Sequence, residues 1–361
     1  MKKTLFIVVI FALLLTMSSF GQNRATVNKY VNMMAKAKVS QSDLSGLGLP
    51  KIAGTWYFVD ADDGNDNYNG LTPDKAFETV SAAYAACTTG EGDGIALLAR
   101  TISGTSYSFS VGDGRLTWSK YGITMVGVSA PIGYSSRARI VNSTDGDSAA
   151  ALILITGSNN TFINILFAHE PNWTTHTTLR TMQISAVQIS GNRNAFINCH
   201  FACAPNVNTY AAYMSAINLR AGSDECVFDG CYFGSSSFDV GNNAASWIYL
   251  MGAAAQHRFR NCTFIQQVSA GTAFGAFETS GVTVMNGIIL FEECTFAVWR
   301  AGTHANICAS WFIGTKPNTG NIGLRNCLLM GFTAIDAVGG NDVVWTNQPA
   351  SNAAGGIGVT P

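Results

Sequence analysis

The sequence predicts an all-β fold, a right-handed single-stranded parallel β-helix with a capping helix at its N-terminal end. One observation is a six-residue aromatic phrase that recurs at steps of 34, 32, 31, 32 and 33 residues, a regularity typical of stacked solenoids. The other is composition, since 12% charged residues and 37 glycines in 361 residues favour one large, buried, turn-rich body. The copies of the phrase begin at Phe162, Phe196, Phe228, Phe259, Phe291 and Leu324.

Each copy of the aromatic phrase is expected to turn one corner of a coil. Its first aromatic residue faces the core, the next residue faces outward, and asparagine or glycine occupies a bend with left-handed backbone. After the bend, a cysteine and a second aromatic residue point inward. These cysteines are expected to pack as small hydrophobic side chains rather than to form a metal site. Neighbouring coils are close enough for disulfides, but the geometry does not guarantee them. The column comprises Cys199, Cys231, Cys262, Cys294 and Cys327.

The outward position after the first aromatic residue carries alternating charges in four successive copies. These residues are Asp229, Arg260, Glu292 and Arg325. If the copies stack in register, each charge lies about 5 Å from an opposite charge in the next coil. This interpretation removes Asp229 and Glu292 from the candidates for a catalytic carboxylate pair.

Short strands precede the aromatic phrases, because apolar and β-branched residues alternate there with a period of two. Stretches of glycine, asparagine and serine separate these strands from the phrases. We expect residues 94–335 to form the β-helix, with a long loop after each phrase and all these loops on one side. The upstream strands are Ala151–Thr156, Ser185–Ser190, Ser215–Arg220, Ser246–Leu250 and Ser310–Ile313.

The first 21 residues have the pattern of a secretory signal peptide. Lys2 and Lys3 precede an apolar run, Leu5–Leu15, that is too short to span a bilayer as a helix. The sequence therefore predicts export, with a retained hydrophobic anchor or a buried N-terminal helix as the alternatives.

Residues 22–54 are predicted to form a docking helix and a linker. Within residues 24–38, Val27, Tyr30, Val31 and Met34 recur at helical spacing, and lysines occupy the opposite side. Such a helix suits attachment or oligomerisation. We expect the protein to be a homo-oligomer, for which a trimer is one arrangement, or part of a larger surface assembly.

Residues 55–93 are predicted to form the N-terminal cap. A strand at Trp56–Asp60 leads into an acidic turn, and Thr72 and Pro73 signal a helix that continues to about Cys87. No cofactor is required by this fold. Closely spaced carboxylates in the turn could bind Ca²⁺, and a hydrogen-bonded turn that caps the helix is the alternative. The candidate calcium ligands are Asp60, Asp62, Asp63 and Asp66.

Residues 55–335 resemble the pectate-lyase-like right-handed parallel β-helix superfamily. The resemblance rests on Tyr57-Phe-Val-Asp60, Gly64-Asn-Asp66, Gly70-Leu-Thr-Pro73 and the Asn-Cys-x-Phe coils. It implies the fold, and it admits polysaccharide lyases, glycoside hydrolases, epimerases, adhesins and bacteriophage spikes. Residues 336–361 form a predicted C-terminal strand and tail that resemble the ends of bacteriophage structural proteins, which implies a virion protein such as a spike, fibre or decoration protein.

Carboxylates at equivalent positions of adjacent coils are how a β-helix would assemble a hydrolase site, and the sequence shows no such pair outside the charge ladder. The remaining catalytic candidates are Glu170, Asp239 and Glu278. A formal net charge of -1 and the absence of a basic cluster argue against a nucleic-acid partner.

The long loops after the aromatic phrases are expected to form one continuous face. Aromatic rings beside amides and a few charges suit sugar rings, and the same face could pack against a neighbouring subunit or hold an active site. The candidate glycan-binding or partner-binding residues are Trp173, His176, Arg180, Tyr210, Tyr213, Trp299, Arg300 and His304.

The sequence thus favours a non-enzymatic role over catalysis. In this hypothesis the protein is an exported or virion-surface β-helix with a structural, decorating or adhesive function, and its loop face binds glycans. The alternative is a secreted polysaccharide lyase or glycoside hydrolase.

Overall fold

Parallel strands stack into three sheets in the computed structural model of the protein, and each complete coil contributes one strand to each sheet. The structure describes residues 52–99, 108–110, 115–128, 138–141, 151–169, 184–203, 215–240, 246–252, 254, 256–268, 275–279, 284–300, 311–313, 319–332, 334–336 and 344–345.

The strands are short, and most contain three to six residues. In the N-terminal part they are β1 (Trp56–Val59), β2 (Gly94–Leu98), β3 (Ser108–Ser110), β4 (Leu116–Trp118), β5 (Thr124–Val128), β6 (Arg139–Val141), β7 (Ala151–Ile155), β8 (Thr161–Ile163), β9 (Leu166–His169), β10 (Ser185–Ile189), β11 (Ala195–Ile197), β12 (His200–Cys203) and β13 (Ser215–Arg220). In the C-terminal part they are β14 (Val227–Asp229), β15 (Tyr232–Val240), β16 (Ser246–Met251), β17 (Arg258–Arg260), β18 (Thr263–Val268), β19 (Gly275–Thr279), β20 (Val284–Glu292), β21 (Thr295–Arg300), β22 (Trp311–Ile313), β23 (Thr319–Arg325), β24 (Leu328–Met330), β25 (Ala334–Asp336) and β26 (Val344–Trp345).

Sheet A has ten strands in the order β1-β2-β5-β8-β11-β14-β17-β20-β23-β26. Sheet B has eight strands in the order β24-β21-β18-β15-β12-β9-β6-β3, and sheet C has eight in the order β25-β22-β19-β16-β13-β10-β7-β4. The chain passes from sheet A to sheet B across the bend of the aromatic phrase, and then to sheet C. This topology confirms the predicted all-β parallel β-helix.

Two columns of stacked phenylalanine rings fill the interior. In the sheet A column, ring centroids of Phe162, Phe196 and Phe228 lie 5.0 and 4.9 Å apart and the rings are nearly parallel. In the sheet B column, the centroids of Phe201 and Phe233 are 5.0 Å apart. The two columns meet edge to face, which is a favoured geometry for aromatic pairs. Both aromatic positions of the phrase therefore point inward, as predicted.

The bend inside each phrase has left-handed backbone in all six copies. Four asparagines occupy it with φ between 51° and 57°, and Gly230 and Glu293 occupy it with φ of 63° and 56°. The amide nitrogen at the bend donates to a carbonyl of the next coil, as from Asn198 to Asp229 at 2.9 Å. The predicted bend is confirmed, and the asparagines are Asn164, Asn198, Asn261 and Asn326.

The predicted column of cysteines lies in the interior beside the phenylalanines. Each thiol donates to the carbonyl oxygen of the first aromatic residue in the preceding coil, as from Cys231 to Phe196 at 3.3 Å. Burial raises the pKa of the Cys231 thiol well above its ordinary value. All cysteines of the described residues are free thiols. The column therefore packs as small hydrogen-bonded side chains, without disulfides between coils in the described part of the chain.

The predicted charge ladder runs along the outer face of sheet A. Asp229, Arg260, Glu292 and Arg325 pair in register across β14, β17, β20 and β23. Arg260 Nη2 lies 2.7 Å from Asp229 Oδ2, and the carboxylate of Glu292 contacts both Arg325 and Arg258. The ladder is confirmed, with Arg258 as a member that the sequence pattern did not indicate.

The capping helix begins later than predicted. The helix α1 (Val80–Ala86) follows Thr79, whose hydroxyl accepts a hydrogen bond from the amide of Ala82 at 3.1 Å. The predicted N-cap, Thr72, precedes a separate 3-10 helix at Pro73–Lys75 and makes no side-chain capping bond. The signals at Thr72 and Pro73 therefore mark a short turn rather than the start of α1.

The backbone between these two helices explains the late start of α1. Ala76 is extended, with φ of -65° and ψ of 149°, so a helix cannot run through it. Phe77 pairs with Val59 of β1, and its amide donates to the carbonyl of Phe58 at 2.9 Å. Pairing with the first strand thus interrupts the helix. The chain returns to helical geometry only once this added strand segment ends.

A lysine at the other end of α1 satisfies its terminal carbonyl groups. Lys120 Nζ donates to the carbonyl oxygens of Tyr84, Ala85 and Cys87 at 2.6, 3.0 and 2.6 Å. A positive charge here also complements the negative end of the helix dipole. Since Lys120 follows β4, this contact fixes the cap to the first coils.

Two buried asparagines connect coils through their side chains. Asn160 Oδ1 accepts from the amide of Ile123 at 3.0 Å, and its Nδ2 donates to Asn194 Oδ1 at 3.1 Å. Asn194 Nδ2 donates in turn to the carbonyls of Gly157 and Gly191, both at 3.0 Å. These bonds satisfy polar groups at the turn between sheets C and A, where the sequence indicated only a loop.

Candidate functional site

Polar side chains occupy one register position of sheet C in four neighbouring strands. Gln188, Asn218, Tyr249 and Glu278 pair across β10, β13, β16 and β19. The residues on either side of the first three belong to the interior core, so these side chains point to the outer face. We call the four residues the polar column. With strands about 4.8 Å apart, the column extends about 14 Å along the solenoid.

The polar column holds the guanidinium group of Arg220 at its edge. Arg220, two residues after Asn218, donates from Nη1 to Gln188 Oε1 at 2.8 Å, and Asn218 Nδ2 donates to the sulfur of Met251 at 2.8 Å. Gln188 and Asn218 are buried, whereas Arg220 and Glu278 are half-buried. The buried amides thus form a floor, and the two charged groups are the ones that solvent or a ligand reaches.

Arg220 has no carboxylate partner among the residues that the structure describes. Its hydrogen bond goes to a neutral amide, in contrast to the paired arginines of the charge ladder on sheet A. A half-buried guanidinium with unused donors can receive an anionic or hydroxyl-rich group. Glu278 lies two strands further on, about 10 Å along the solenoid, and supplies an acceptor of opposite charge.

The segments that follow the first five aromatic phrases each join a strand of sheet B to a strand of sheet C, whereas residues 100–107 and 129–137 join sheet A to sheet B. The predicted continuous loop face lies outside the described residues. The ends of the five segments are fixed by the last residue of a sheet B strand and the first residue of the following sheet C strand. The polar column begins within a few residues of where these segments enter sheet C. The segments are 170–183, 204–214, 241–245, 269–274 and 301–310.

Most predicted contact residues lie in these segments, outside the described residues. The structure therefore tests neither the predicted catalytic role of Glu170 nor the predicted binding roles of the others. The binding candidates in this group are Trp173, His176, Arg180, Tyr210, Tyr213 and His304.

Three predicted residues lie on sheet B, in strands rather than in the loops expected for them. Asp239 in β15 pairs with Gln267 in β18, and Gln267 pairs with Trp299 in β21. Asp239 and Trp299 therefore share one register position, with Gln267 between them. Arg300 is the next residue of β21. The strands extend further than the aromatic phrase because pairing with the neighbouring coils continues beyond it.

Glu278 also lies in a strand rather than a loop, but on sheet C. The structure pairs it with Tyr249 in the polar column. The backbone therefore brings Asp239, Trp299 and Arg300 to one sheet and Glu278 to another. The two candidate carboxylates, Asp239 and Glu278, are not at equivalent positions of adjacent coils.

The acidic turn uses its carboxylates to bind backbone amides. Asp60 is buried, and its Oδ1 accepts from the amides of Asp62 and Asp63 at 3.1 and 3.4 Å. Asp66 Oδ1 accepts from the amides of Glu78 and Thr79, both at 2.9 Å. These bonds support the alternative of a turn that caps the helix. The described part of the chain contains no group of three or more His, Cys, Asp or Glu side chains placed to hold a metal ion.

The sequence pattern did not indicate Gln188, Asn218, Arg220 or Tyr249 as site residues. Three of them stand at the same place in strands that the pattern did predict, namely the third residue after Ser185, Ser215 and Ser246. A polar or aromatic residue at this one position of otherwise apolar strands was the available signal. The phrase Ser-x-x-polar in consecutive coils would have located the column.

No helix among the described residues is both long and apolar enough to cross a membrane. The predicted signal segment, residues 1–21, lies outside the described residues.

Comparison with known proteins finds similarity in solved structures only, because no protein-family model and no curated protein matches the chain. A pectin methylesterase mutant in complex with a hexasaccharide matches with 15% identity over 78% of this chain and 81% of its own, at a TM-score of 0.49. Pectate lyase Pel9A matches with 15% identity over 76% of this chain and 63% of its own, at a TM-score of 0.48.

Pectin methylesterase PemA from Erwinia chrysanthemi matches with 13% identity over 83% of this chain and 94% of its own, at a TM-score of 0.46. At these identities the similarity concerns the course of the backbone alone. The predicted resemblance to bacteriophage structural proteins finds no support in these comparisons, and a virion role stays a prediction.

Proposed function

We propose that the protein binds polysaccharide on the outer face of sheet C, with Arg220 and Glu278 as the accessible charged contacts. The observation that carries this proposal is the state of Arg220, a half-buried guanidinium that Gln188 holds in place and that no described carboxylate neutralises. Such a group is arranged to meet a ligand rather than to join two coils.

The shape of the site suits a chain of sugars. The polar column extends about 14 Å across parallel strands, with the two amides and the Tyr249 ring buried as its floor and with Arg220 and Glu278 as its reachable donor and acceptor groups. Sugar hydroxyls donate and accept hydrogen bonds, and these groups provide both partners. An acidic sugar beside Arg220 would add a charge-assisted bond.

Binding is measured by titration calorimetry with acidic and neutral polysaccharides, including pectin with and without methyl esters, each with and without Ca²⁺. Removing one charged contact costs about 1.4 kcal/mol, so Arg220→Gln and Glu278→Gln should each weaken binding about tenfold. Arg193→Gln and Glu225→Gln are the matched controls, because these residues form an exposed ion pair in the turns between sheets C and A, outside the polar column. Equal affinity in all four variants would contradict the proposal.

Turnover of the bound polysaccharide, by a lyase or a glycoside hydrolase, is the second candidate function. It is favoured by the place of Glu278 in the polar column beside Tyr249. An adhesive or decorating protein and a processing enzyme share the binding step, and only the enzyme then cleaves the bound chain. Release of unsaturated or reducing ends that stops in Glu278→Gln but continues in Glu225→Gln supports the enzyme. Binding without such release supports the non-enzymatic role.

We also propose that the protein works outside the cell, as the pattern of residues 1–21 predicts. Mass spectrometry of the chain recovered from its host should show an N-terminus at Gln22. A recovered chain that starts at Met1 would contradict cleavage. Light scattering of the same sample measures the predicted oligomeric state.

A further inference from the structure

The outer face of sheet A carries an apolar column in its N-terminal half. Phe58, Ala96, Val126, Ile163 and Ile197 pair in register across β1, β2, β5, β8 and β11. Their strand neighbours belong to the interior core, so these five side chains point outward. We call them the apolar strip.

The apolar strip ends where the charge ladder begins. The register position that holds Ile197 in β11 holds Asp229 in β14, and charged residues continue from there. One outward column of a single sheet thus changes from apolar to charged within one coil. An outward face in contact with water would not carry five consecutive apolar residues unless something packs on it.

Burial along the strip is graded. Phe58, Ala96 and Val126 are at most 7% exposed, Ile163 is half-buried, and Ile197 is 37% exposed. The covered end is the one nearest the N-terminal cap. The open end is nearest the charge ladder.

The chain enters the strip from its N-terminal side. Ile52, the first residue that the structure describes, belongs to the same apolar cluster as Trp56, Phe58 and Val126. The segment before Ile52 is therefore attached at the covered end of the strip.

Residues 24–38 have the pattern and the length to cover this surface. Ile52, Trp56 and Ala76 already pack at the covered end of the strip, so the open part comprises Ile163 and Ile197. A helix of 15 residues would extend about 22 Å, which is enough to cover this open part. Val27, Tyr30, Val31 and Met34 would form one apolar stripe. The 13 residues between Lys38 and Ile52 can reach about 43 Å, which is enough to let the helix lie along the strip.

We propose that residues 24–38 form a helix that docks with this stripe on the apolar strip of the same chain. Lys29 and Lys36 then face solvent, and the far end of the helix approaches the exposed Ile197. The N-terminal segment becomes a strap along sheet A, whereas the polar column lies on sheet C, so the docking does not depend on the proposed polysaccharide binding.

A photo-crosslinking amino acid placed at position 197 of the full chain tests the docking. We expect a crosslink within one chain between β11 and residues 24–38, identified by peptide mass spectrometry. In the same sample, trypsin should cleave slowly after Lys29, Lys36 and Lys38. Val31→Asp, which puts a charge into the stripe, should reduce the crosslink and speed this cleavage by at least about tenfold, equivalent to about 1.4 kcal/mol.

Asn32→Asp is the matched control, because it adds the same charge on the side of the helix opposite the stripe. It should leave the crosslink and the cleavage rate unchanged. Both substitutions lie before the described body, and an unchanged melting temperature of sheets A to C would verify that the body is intact. Crosslinks that join two chains would assign the strip to a second copy instead. Absence of a crosslink to residues 24–38, or equal effects of the two variants, would also overturn the proposal.

Discussion

Two buried histidines, His200 and His257, are expected to make the protein less stable in acid. Burial lowers the pKa of His257 and of His200 to about 4 in each case. His257 Nδ1 accepts a hydrogen bond from the amide of Cys226 at 3.3 Å, so a proton on this nitrogen would meet another donor. His200 has its ring nitrogen Nε2 2.8 Å from the carbonyl of Gly234. Both rings are therefore built into the fold in their neutral form.

Stability should fall as the pH drops from about 6.5 toward 4. A histidine with a lowered folded pKa binds its proton first in the unfolded chain, so stabilisation is complete above the unfolded value and lost below it. Each histidine accounts for about 2 kcal/mol between pH 7 and pH 5. The test variant is His257→Asn, because asparagine occupies the equivalent position in earlier coils, as Asn160 and Asn194. In urea denaturation at pH 7 and pH 5, this variant should lose less free energy of unfolding between the two pH values than the natural protein. An unchanged pH dependence would contradict this explanation.

Glu293 is strained by its place in the coil. It occupies the left-handed bend with φ of 56°, where the other coils have asparagine or glycine. Because asparagine tolerates this backbone better, Glu293→Asn should raise the free energy of unfolding by about 0.5 to 1 kcal/mol. The midpoint of urea unfolding at pH 7 measures the change. Asn261→Glu, the reverse exchange one coil earlier, should lower the midpoint.

The elements of the fold are short strands held by their neighbours in register. Much of this register could be predicted from the aromatic phrase. Each copy places one aromatic or aliphatic side chain in sheet A and one in sheet B, and aligning the copies aligns the strands of successive coils. The helix start could not, since the signal at Thr72 and Pro73 competes with strand pairing at Phe77 that only the folded chain provides. The residue type alone did not reveal this competition.

The polar column illustrates a different reason for failure. Outward side chains need not share a chemical type, and Gln188, Asn218, Tyr249 and Glu278 leave no repeated letter in the sequence. The interior requires similar side chains in each coil because they pack against one another. The sequence marks this outer-face site only by the serine three residues before Gln188, Asn218 and Tyr249, a weaker signal than the repeated interior residues.

Glu292 connects three strands of the charge ladder, because its carboxylate contacts arginines in the neighbouring strands on both sides. It is buried, and the hydrogen bond from Arg258 lowers the pKa of its carboxyl group. A lowered folded pKa gives stability above the unfolded value near 4.3, which is lost as the pH falls through the folded value. Glu292→Gln should cost about 1 to 3 kcal/mol at pH 7, because two arginines lose their partner.

The difference between Glu292→Gln and the natural protein should shrink in urea denaturation as the pH falls through the lowered folded pKa of Glu292, because the natural carboxylate then becomes protonated as well. Glu293→Gln is the neighbouring control, because Glu293 is exposed and forms no ion pair among the described residues. A loss of similar size in this control would show that the ladder is not the cause.

At the scale of the whole molecule, the protein is a row of coils that each pair with the coil before and the coil after. Sheets A, B and C run through this row without interruption in the described part of the chain. Stability then depends on the sum of coil-to-coil contacts, as in other solenoids. A substitution that truncates a core side chain should therefore have different effects in a central coil and in a terminal coil.

Phe228→Ala, in a central coil, removes a fully buried ring that stacks on Phe196 and Phe259 and should cost about 3 to 5 kcal/mol. Leu324→Ala, near the C-terminal end, should mainly release the last described coils. Hydrogen exchange by mass spectrometry distinguishes the two, since Phe228→Ala should speed exchange in β11, β14 and β17, and Leu324→Ala only in β20 and beyond. Equal spread of both effects along the chain would contradict this picture.

The left-handed bend has a consequence for how a protein of this kind changes its length. Its amide donates only to the adjoining coil, as from Asn198 to Asp229, and the thiol beside it reaches only one coil back. A duplicated or deleted unit of 31 to 34 residues would therefore preserve every remaining contact except those at one junction. Gene duplication can thus lengthen the outer face by whole coils without a new fold, and any surface built on equivalent positions of the coils lengthens with it.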